Sequence, residues 1–278
     1  MTFSDAYKKA DETLKKSGIL EHERDAALLL EFATGKGKTF LLTYGDEREL
    51  SFGEAERLKE ALKKRSSHIP LQHITGSVSF MGLEFLVSPP VLIPRIDTEF
   101  LVEEVLRVLP DGSEVLDLCT GSGCILLSLM KYKNHIRGTG SDISRPALEL
   151  SEKNREKLGI RDAVFIESDL FNNITGSFDF IISNPPYIRS SEIASLMEEV
   201  RDFEPLTALD GGEDGLDFYR RIASGAGEHL KNGGRMFFET GNDEGEAVKE
   251  ILERNGFKDI RIFKDYSDNE RVVSCLKT

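Results

Sequence analysis

The sequence predicts an α/β protein with a mostly parallel sheet, an antiparallel edge strand and a small N-terminal helical bundle. Three patterns predict this class. Apolar residues recur at helical spacing over residues 1–69. Strand and helix patterns alternate over residues 96–278, which is typical of a parallel sheet flanked by helices. Two strand patterns follow one another at the C-terminal end, which predicts an antiparallel edge.

The bundle over residues 1–69 is predicted to contain four helices. Ser4 is expected to cap the first helix, which ends at Gly18. The second helix is expected to stop near Gly35, and a short third helix follows it. Ser51-Phe52-Gly53-Glu54 has the spacing of a capping box and opens the fourth helix.

Residues 70–95 are predicted to form a β-hairpin that links the bundle to the rest of the chain. Ile74, Val78 and Phe80 predict its first strand, and Met81-Gly82 predicts the turn. The three prolines that follow the hairpin stiffen the exit from it, because each fixes its own φ angle.

From residue 96 onward the apolar patterns predict five helices and seven strands. The helices are expected over residues 97–108, 123–130, 146–158, 216–230 and 244–255. The strands are expected over residues 114–118, 136–141, 163–167, 178–183, 234–239, 260–263 and 272–276.

The composition favours a cytoplasmic enzyme that acts on a protein or a small molecule. The formal net charge is −13, which opposes binding to the phosphates of nucleic acids. No apolar run approaches the roughly 18 residues of a membrane span, and no signal peptide is evident. Cys119, Cys124 and Cys275 lack metal-binding spacing, so reduced thiols and no metal site are expected.

A glycine-containing loop, Cys119-Thr120-Gly121-Ser122-Gly123, joins the first strand of the sheet to the next helix. Glycines allow the backbone to approach a ligand closely, and helix N-terminal N–H groups favour an anionic group. Leu126 stands where a dinucleotide-binding loop has its third glycine. The loop alone also fits a plain tight turn.

Two acids strengthen the interpretation of this loop as a nucleoside site. Asp142 ends the next strand, 19 residues after Gly123, where a carboxylate can bind both hydroxyls of a ribose. Asp117 lies at the mouth of the first strand, where it could hold an ammonium group or order the loop. Two acids fit a nucleoside with a cationic amino-acid tail better than a dinucleotide. Asp142 could otherwise serve only as a helix cap.

A rigid turn follows the apolar strand over residues 178–183. Asn184-Pro185-Pro186-Tyr187 contains two prolines that fix φ and lack an N–H group, so the free groups of the turn are mainly acceptors. Open α/β sheets bind their ligands at such strand ends. The acceptors predict a guest that carries an –NH₂ group.

This turn resembles the [Asp/Asn]-Pro-Pro-aromatic motif of methyltransferases that act on planar –NH₂ groups. With the glycine loop and Asp142, the resemblance implies the class I, Rossmann-like fold of S-adenosylmethionine-dependent methyltransferases. Over nearly the whole chain, the sequence is similar to the release factor glutamine methyltransferases. The segments that carry this similarity are residues 70–76, 91–95, 97–99, 203–209 and 265–272.

The resemblance implies specific roles for the site residues. Expected contacts to S-adenosylmethionine, whose product is S-adenosylhomocysteine, come from Asp117, Cys119, Thr120, Gly121, Ser122, Gly123, Asp142, Asp169, Leu170 and Asn184. Binding of the substrate amide is expected from Asn184, Pro185, Pro186 and Tyr187, of which Asn184, Pro185 and Tyr187 are the catalytic candidates.

Three positions depart from the family pattern. Cys119 replaces the first glycine of the loop, and a small side chain is expected to fit there if its φ angle stays negative. Ile96 stands where proline is usual, and Glu244 stands where glutamine is frequent. The last two departures are interpreted as surface changes.

The implied activity is transfer of a methyl group to the side-chain N5 of the glutamine in the Gly-Gly-Gln motif of class 1 peptide chain release factors. The Asn184 oxygen and the Pro185 carbonyl are expected to accept the two amide hydrogens, with Tyr187 packed against the amide plane. Residues 1–69 are expected to dock the protein substrate or, alternatively, only to stabilise the fold. A monomer without direct nucleic-acid or membrane contacts is expected.

Three other functions remain open from the residues. A related enzyme could modify a glutamine of a ribosomal protein, since the motifs hardly separate the two substrates. An adenine-N6 nucleic-acid methyltransferase would fit the same acceptors, but the acidic balance opposes it. A non-catalytic cofactor-binding module would leave the Asn184 turn unexplained.

Overall fold

The protein, described here by a computed structural model of residues 1–278, divides into two compact units. The helical unit comprises Met1–Ser77 together with Met197–Phe203, and the sheet unit comprises Val78–Leu196 together with Glu204–Thr278. Each unit has apolar cores of its own.

Eleven α-helices occur along the chain. In order they are α1 Phe3–Lys16, α2 His22–Thr34, α3 Lys38–Tyr44, α4 Phe52–Arg65, α5 Leu71–Thr75, α6 Asp97–Val108, α7 Cys124–Tyr132, α8 Arg145–Leu158, α9 Glu198–Arg201, α10 Asp217–His229 and α11 Gly245–Arg254. Short 3-10 helices lie at Ile193–Ser195 and Leu206–Ala208. None of the helices has both the length and the apolar character that crossing a membrane requires.

Nine strands accompany the helices. They are β1 Ser77–Phe80, β2 Leu83–Leu86, β3 Glu114–Leu118, β4 Arg137–Asp142, β5 Ala163–Glu167, β6 Phe178–Ser183, β7 Leu230–Glu239, β8 Lys258–Lys264 and β9 Glu270–Leu276. The predicted hairpin is confirmed, with Met81 and Gly82 at positive φ in the turn between β1 and β2.

The helical unit confirms the predicted capping box and corrects two other details. Ser51 and Glu54 each accept a hydrogen bond from the backbone N–H of the other. The cap of α1 is Thr2 and not Ser4, since the Thr2 hydroxyl accepts from the Asp5 N–H at 3.1 Å. Ile74 lies in helix α5 and not in a strand, because it packs against the helical core and its N–H bonds back to the Pro70 carbonyl.

The segment Met197–Phe203, which contains α9, belongs to the helical unit although it follows β6 in the chain. Ion pairs of the buried Arg65 link this segment to the rest of the helical unit. Arg65 is 3% exposed, and its guanidinium lies 2.7 Å from the Asp25 carboxylate and 2.5 Å from the Glu199 carboxylate. A buried arginine of this kind needs carboxylate partners to offset its lost hydration.

The large sheet has the order β5-β4-β3-β6-β7-β9-β8. Strands β3 to β7 are parallel, while β9 is antiparallel to both β7 and β8, as the C-terminal pattern predicts. The strands that follow β3 in the sequence, β4 and β5, are added on one side of β3, whereas β7 is added on the other side, next to β6. A crevice therefore forms at the carboxyl ends of β3 and β6, where open α/β sheets bind ligands.

Candidate active site

The two segments singled out in the sequence meet at this crevice. The glycine loop follows β3 and the Asn184 turn follows β6, and the two strands are direct neighbours with Leu118 opposite Ser183. The Ser183 hydroxyl donates to the Leu118 carbonyl at 2.8 Å. This bond fixes the two exits from the sheet side by side.

A cavity of about 430 Å³ opens at the crevice, within the size range of small-molecule sites. Seven of the expected site residues line it: Cys119, Gly121, Asp142, Asp169, Leu170, Asn184 and Pro186. Further walls come from Pro90, Val91, Ile143, the Pro205–Ala208 segment and Phe218. The other expected residues, Asp117, Thr120, Ser122, Gly123, Pro185 and Tyr187, lie outside its lining.

The backbone of the glycine loop turns through three positive φ angles. They occur at Cys119 (58°), Gly121 (56°) and Gly123 (79°). The condition stated for Cys119, a negative φ, is therefore not met: the loop keeps the glycine-like conformation, and the cysteine bears its strain. A Cβ on Gly123 would lie 3.1 Å from Leu127 and 3.3 Å from Phe165, so close packing also favours glycine there.

Asp117 lies beneath this loop and not in the cavity wall. It is fully buried, and its carboxylate accepts from the Thr120 hydroxyl at 2.6 Å. Burial raises the pKa of Asp117 to about 7. Of the two roles considered for Asp117, these contacts favour ordering of the loop.

Asp142 joins the loop to the cavity. One carboxylate oxygen accepts from the Gly121 N–H and the other from the Ser144 N–H, both at 2.9 Å. Burial raises its pKa, although three backbone hydrogen bonds oppose the shift. Each carboxylate oxygen has a further lone pair, so Asp142 can still accept from a pair of ligand hydroxyls.

Asp169 and Leu170 form the cavity wall at the end of β5. Arg221 donates to both Asp169 oxygens at 2.7 Å, which fixes the carboxylate. The Leu170 carbonyl accepts from the Ser168 hydroxyl at 2.7 Å, so the Leu170 backbone is held in its positive-φ conformation. The apolar side chains of Ile143, Leu170 and Phe218 offer a surface for a flat ring.

These residues fit an adenosine group. The cavity combines an apolar wall with a carboxylate, Asp142, that is held by backbone donors and keeps capacity for two hydroxyls. An added Cβ at Gly121 would meet no atom within 4 Å, so the loop leaves open space beside Asp142.

The Asn184 turn presents an amide oxygen to the cavity. The Asn184 Nδ2 donates to the Thr98 hydroxyl at 3.2 Å, while its Oδ1 makes no hydrogen bond within the protein. Pro185 and Pro186 are buried, and Pro186 also lines the cavity. The turn is therefore stiff, and the Asn184 Oδ1 remains available as a hydrogen-bond acceptor.

Tyr187 does not line the cavity. Its hydroxyl lies 3.5 Å from the Glu239 carboxylate, and burial raises its pKa far above the ordinary value. An added Cβ on Gly211 or Gly215 would come within 2.8 Å of the Tyr187 backbone. The glycine pair thus allows a second loop to pack tightly behind the turn.

Sequence reasoning missed three buried groups next to the turn. Thr98, Glu239 and Glu244 are each 5% exposed or less. Burial raises the pKa of Glu239 and of Glu244 to about 7. Glu239 ends β7 at the carboxyl edge of the sheet, and that position is the one signal that could have identified it.

The interpretation of Glu244 as a surface change is wrong. Its side chain is buried and accepts from the Gly241 N–H at 3.0 Å, because the chain folds back sharply after β7. Ile96 is 80% exposed, which agrees with its interpretation as a surface position.

Comparison with known proteins places the chain in one family. The model of the PrmC N-terminal domain matches residues 5–76, and that of the methyltransferase small domain matches residues 95–200. The solved 16S rRNA N2 G1207 methyltransferase of T. thermophilus, in complex with AdoMet and guanosine, shares the fold. It has a TM-score of 0.54 and 20% identity over 73% of this chain and 50% of its own.

Two curated relatives are much more similar in sequence. The release factor glutamine methyltransferase of Clostridium acetobutylicum is 42% identical over 100% of this chain and 99% of its own length. That of Geobacter sulfurreducens is 40% identical over 94% of this chain and 91% of its own. The chain belongs to the release factor glutamine methyltransferase family.

Proposed function

We propose that this protein transfers a methyl group from S-adenosylmethionine to the side-chain N5 of the glutamine in the Gly-Gly-Gln motif of class 1 peptide chain release factors. The observation that carries the proposal is the free amide oxygen of Asn184, which lines the same cavity as the Asp142 carboxylate. An acceptor for an –NH₂ group and a ribose-binding acid thus share one site.

S-adenosylmethionine supplies a methyl group on a positively charged sulfur, which is already a strong electrophile. The amide nitrogen is a poor nucleophile because its lone pair is delocalised into the carbonyl. The main task of the protein is therefore to place the nitrogen and the methyl group together.

Asn184 and Pro185 orient the substrate amide. The Asn184 Oδ1 and the Pro185 carbonyl accept its two hydrogens, so positive charge that develops on nitrogen lies next to two oxygens. Such preorganised dipoles act most strongly in a site with little water. Formation of the nitrogen–carbon bond would break the sulfur–methyl bond of the cofactor and leave S-adenosylhomocysteine, and one amide proton would leave to solvent through the cavity mouth.

Release factor recognition belongs to this proposal as well. The helical unit docks the protein substrate, and the enzyme acts as a cytoplasmic monomer without direct nucleic-acid contacts. The net charge of −13 supports a protein substrate over a nucleic acid. Deletion of residues 1–69 is expected to spare cofactor binding and to abolish selectivity among protein substrates.

A competition for labelled methyl groups tests the proposal. Release factor, ribosomal proteins and DNA are offered side by side with radiolabelled S-adenosylmethionine, and mass spectrometry locates the label. We expect the label on the Gly-Gly-Gln glutamine, and no label when this glutamine is replaced by alanine. Label on a ribosomal protein or on adenine would instead support the corresponding alternative.

A further inference from the structure

Two buried side chains stand directly behind the Asn184 amide. Thr98 lies in the first turn of α6 and is 3% exposed, and Glu239 is the last residue of β7 and is 2% exposed. Thr98 touches Asn184, and its hydroxyl interacts with the Glu239 carboxyl. Neither residue lines the cavity, so any effect on the reaction must pass through Asn184.

Hydrogen-bond capacity decides which way the Asn184 amide points. An asparagine amide can present either its oxygen or its –NH₂ group to a ligand, and a hydroxyl can donate only one hydrogen. The Glu239 Oε2 is buried and accepts no hydrogen bond that meets normal geometry, so it needs a donor, and Thr98 carries a hydroxyl that interacts with this carboxyl group. If Thr98 gives its one hydrogen to Glu239, it can only accept from Asn184.

Burial raises the pKa of Glu239 to about 7, so above this pH its carboxyl group is ionised and can only accept hydrogen bonds. The Arg271 guanidinium lies on the neighbouring strand β9 and stabilises negative charge, while Asp97 on α6 opposes it. The Tyr187 hydroxyl is the remaining donor, at 3.5 Å from Oε1. Tyr219 of α10 donates to the Glu239 backbone carbonyl at 2.9 Å and so fixes the strand end.

We infer that Thr98 and Glu239 are positioning residues that hold the Asn184 amide oxygen toward the cavity and thereby select a substrate with an –NH₂ group. This inference rests on the proposed function, since it assigns Asn184 as the acceptor of the substrate amide. A reversed Asn184 amide would present hydrogens to hydrogens and would repel that substrate.

Exchange of Thr98 separates this role from a packing role. Thr98→Val removes the hydroxyl and keeps the shape, whereas Thr98→Ser keeps the hydroxyl. Without the fixed orientation we expect the kcat of Thr98→Val to fall about 10- to 100-fold, the range for loss of one or two useful hydrogen bonds. Thr98→Ser should stay within about threefold of the original kcat.

Glu239→Gln gives a second, independent readout. A glutamine amide can donate to Thr98, which frees the Thr98 hydrogen for Asn184 and permits the reversed amide. We expect a similar loss of kcat with the protein still folded. Thr139→Val, in the interior of β4, is the matched control and should leave kcat unchanged.

The measurements are kcat and KM with the full-length release factor, the Kd of S-adenosylmethionine by calorimetry, and the melting temperature. The inference predicts that kcat falls while cofactor Kd changes less than about threefold. Equal kcat in Thr98→Val and the unmodified protein would overturn it, as would an equal loss in Thr98→Ser. If Thr98→Val does not fold, Glu239→Gln decides by the same criterion. Absence of glutamine methylation in the unmodified protein would instead refute the proposed function.

Discussion

At the scale of single residues, the loop keeps a glycine-like backbone conformation at Cys119, although the family pattern has glycine at this position. The Cys119 φ of 58° is one that glycine adopts freely and that costs other residues about 1–2 kcal/mol. The sequence could not reveal this angle, because cysteine itself favours negative φ. The neighbouring hydrogen bond from the Gly121 N–H to Asp142 holds the loop in place.

Two substitutions at Cys119 test the strain. Cys119→Val places a β-branched side chain at positive φ and should lower the free energy of unfolding by about 1–2 kcal/mol and weaken cofactor binding. Cys119→Gly relieves the strain but loses packing, so its stability should stay within about 1 kcal/mol of the original. Chemical denaturation and cofactor titration measure both effects. Equal stability of the valine variant would contradict the role of this angle.

The Thr98, Glu239 and Glu244 cluster was beyond sequence analysis for a different reason. Thr98 lies in α6, Glu239 ends β7 and Glu244 directly precedes α11, so only the fold of the chain brings Thr98 next to the two glutamates and the turn. The loop after β3 and the turn after β6 could be predicted, because each is encoded by a short continuous segment. Contacts between distant segments leave no comparable local pattern.

At the scale of elements, the loop at residues 211–215 supports the Asn184 turn from behind. The Gly211 N–H donates to the Ile188 carbonyl at 2.8 Å, and the Ile188 N–H donates to the Leu209 carbonyl at 3.0 Å. A Cβ on Gly215 would lie 2.5 Å from both the Tyr187 carbonyl oxygen and the Glu244 carboxylate. The turn and the loop therefore behave as one packed element.

A pair of glycine substitutions separates this contact from backbone strain. Gly215 and Gly233 have nearly equal φ angles of 80° and 79°, but an added Cβ on Gly233 meets no atom within 4 Å. Gly233→Ala should cost about 1 kcal/mol of stability and spare kcat. Gly215→Ala should cost about 3 kcal/mol and lower kcat, since the Tyr187 backbone must move. Denaturation curves measure the loss of stability, and turnover assays measure kcat. Equal changes in the two variants would show that the loop at residues 211–215 does not support the Asn184 turn.

The alternation of elements was predictable, while two local exceptions were not. Helix α5 replaces part of an expected strand because Pro70 and the apolar core favour a short helix at Ile74. The residues of α9 join the helical unit through the Arg65–Glu199 ion pair, whose partners are 134 residues apart. No local periodicity reports a contact over such a distance.

At the scale of the whole molecule, three buried carboxyl groups of the sheet unit make its stability depend on pH. Burial raises the pKa values of Asp117, Glu239 and Glu244 to about 7. Between their ordinary values near 4 and this pH, the folded protein holds protons that the unfolded chain has released. The free energy of unfolding must therefore decrease as pH rises through this window.

We expect the ligand-free protein to be several kcal/mol more stable near pH 5 than near pH 8, since each of the three raised pKa values contributes in the same direction. Glu239→Gln removes one of the titrating groups, so its stability should depend less steeply on pH. Urea denaturation at both pH values measures the difference. Stability that rises from pH 5 to pH 8 would contradict the raised pKa values.

Turnover of Asn184→Ala on the release factor substrate tests most directly whether the Asn184 amide oxygen holds the reacting nitrogen. We expect the cofactor Kd to stay within about threefold while kcat falls about 100-fold or more, because the acceptor for the substrate amide is lost. Asn134→Ala, before β4 at the opposite edge of the sheet, serves as the control and should retain full turnover. Normal methyl transfer by Asn184→Ala would show that this amide oxygen does not hold the reacting nitrogen.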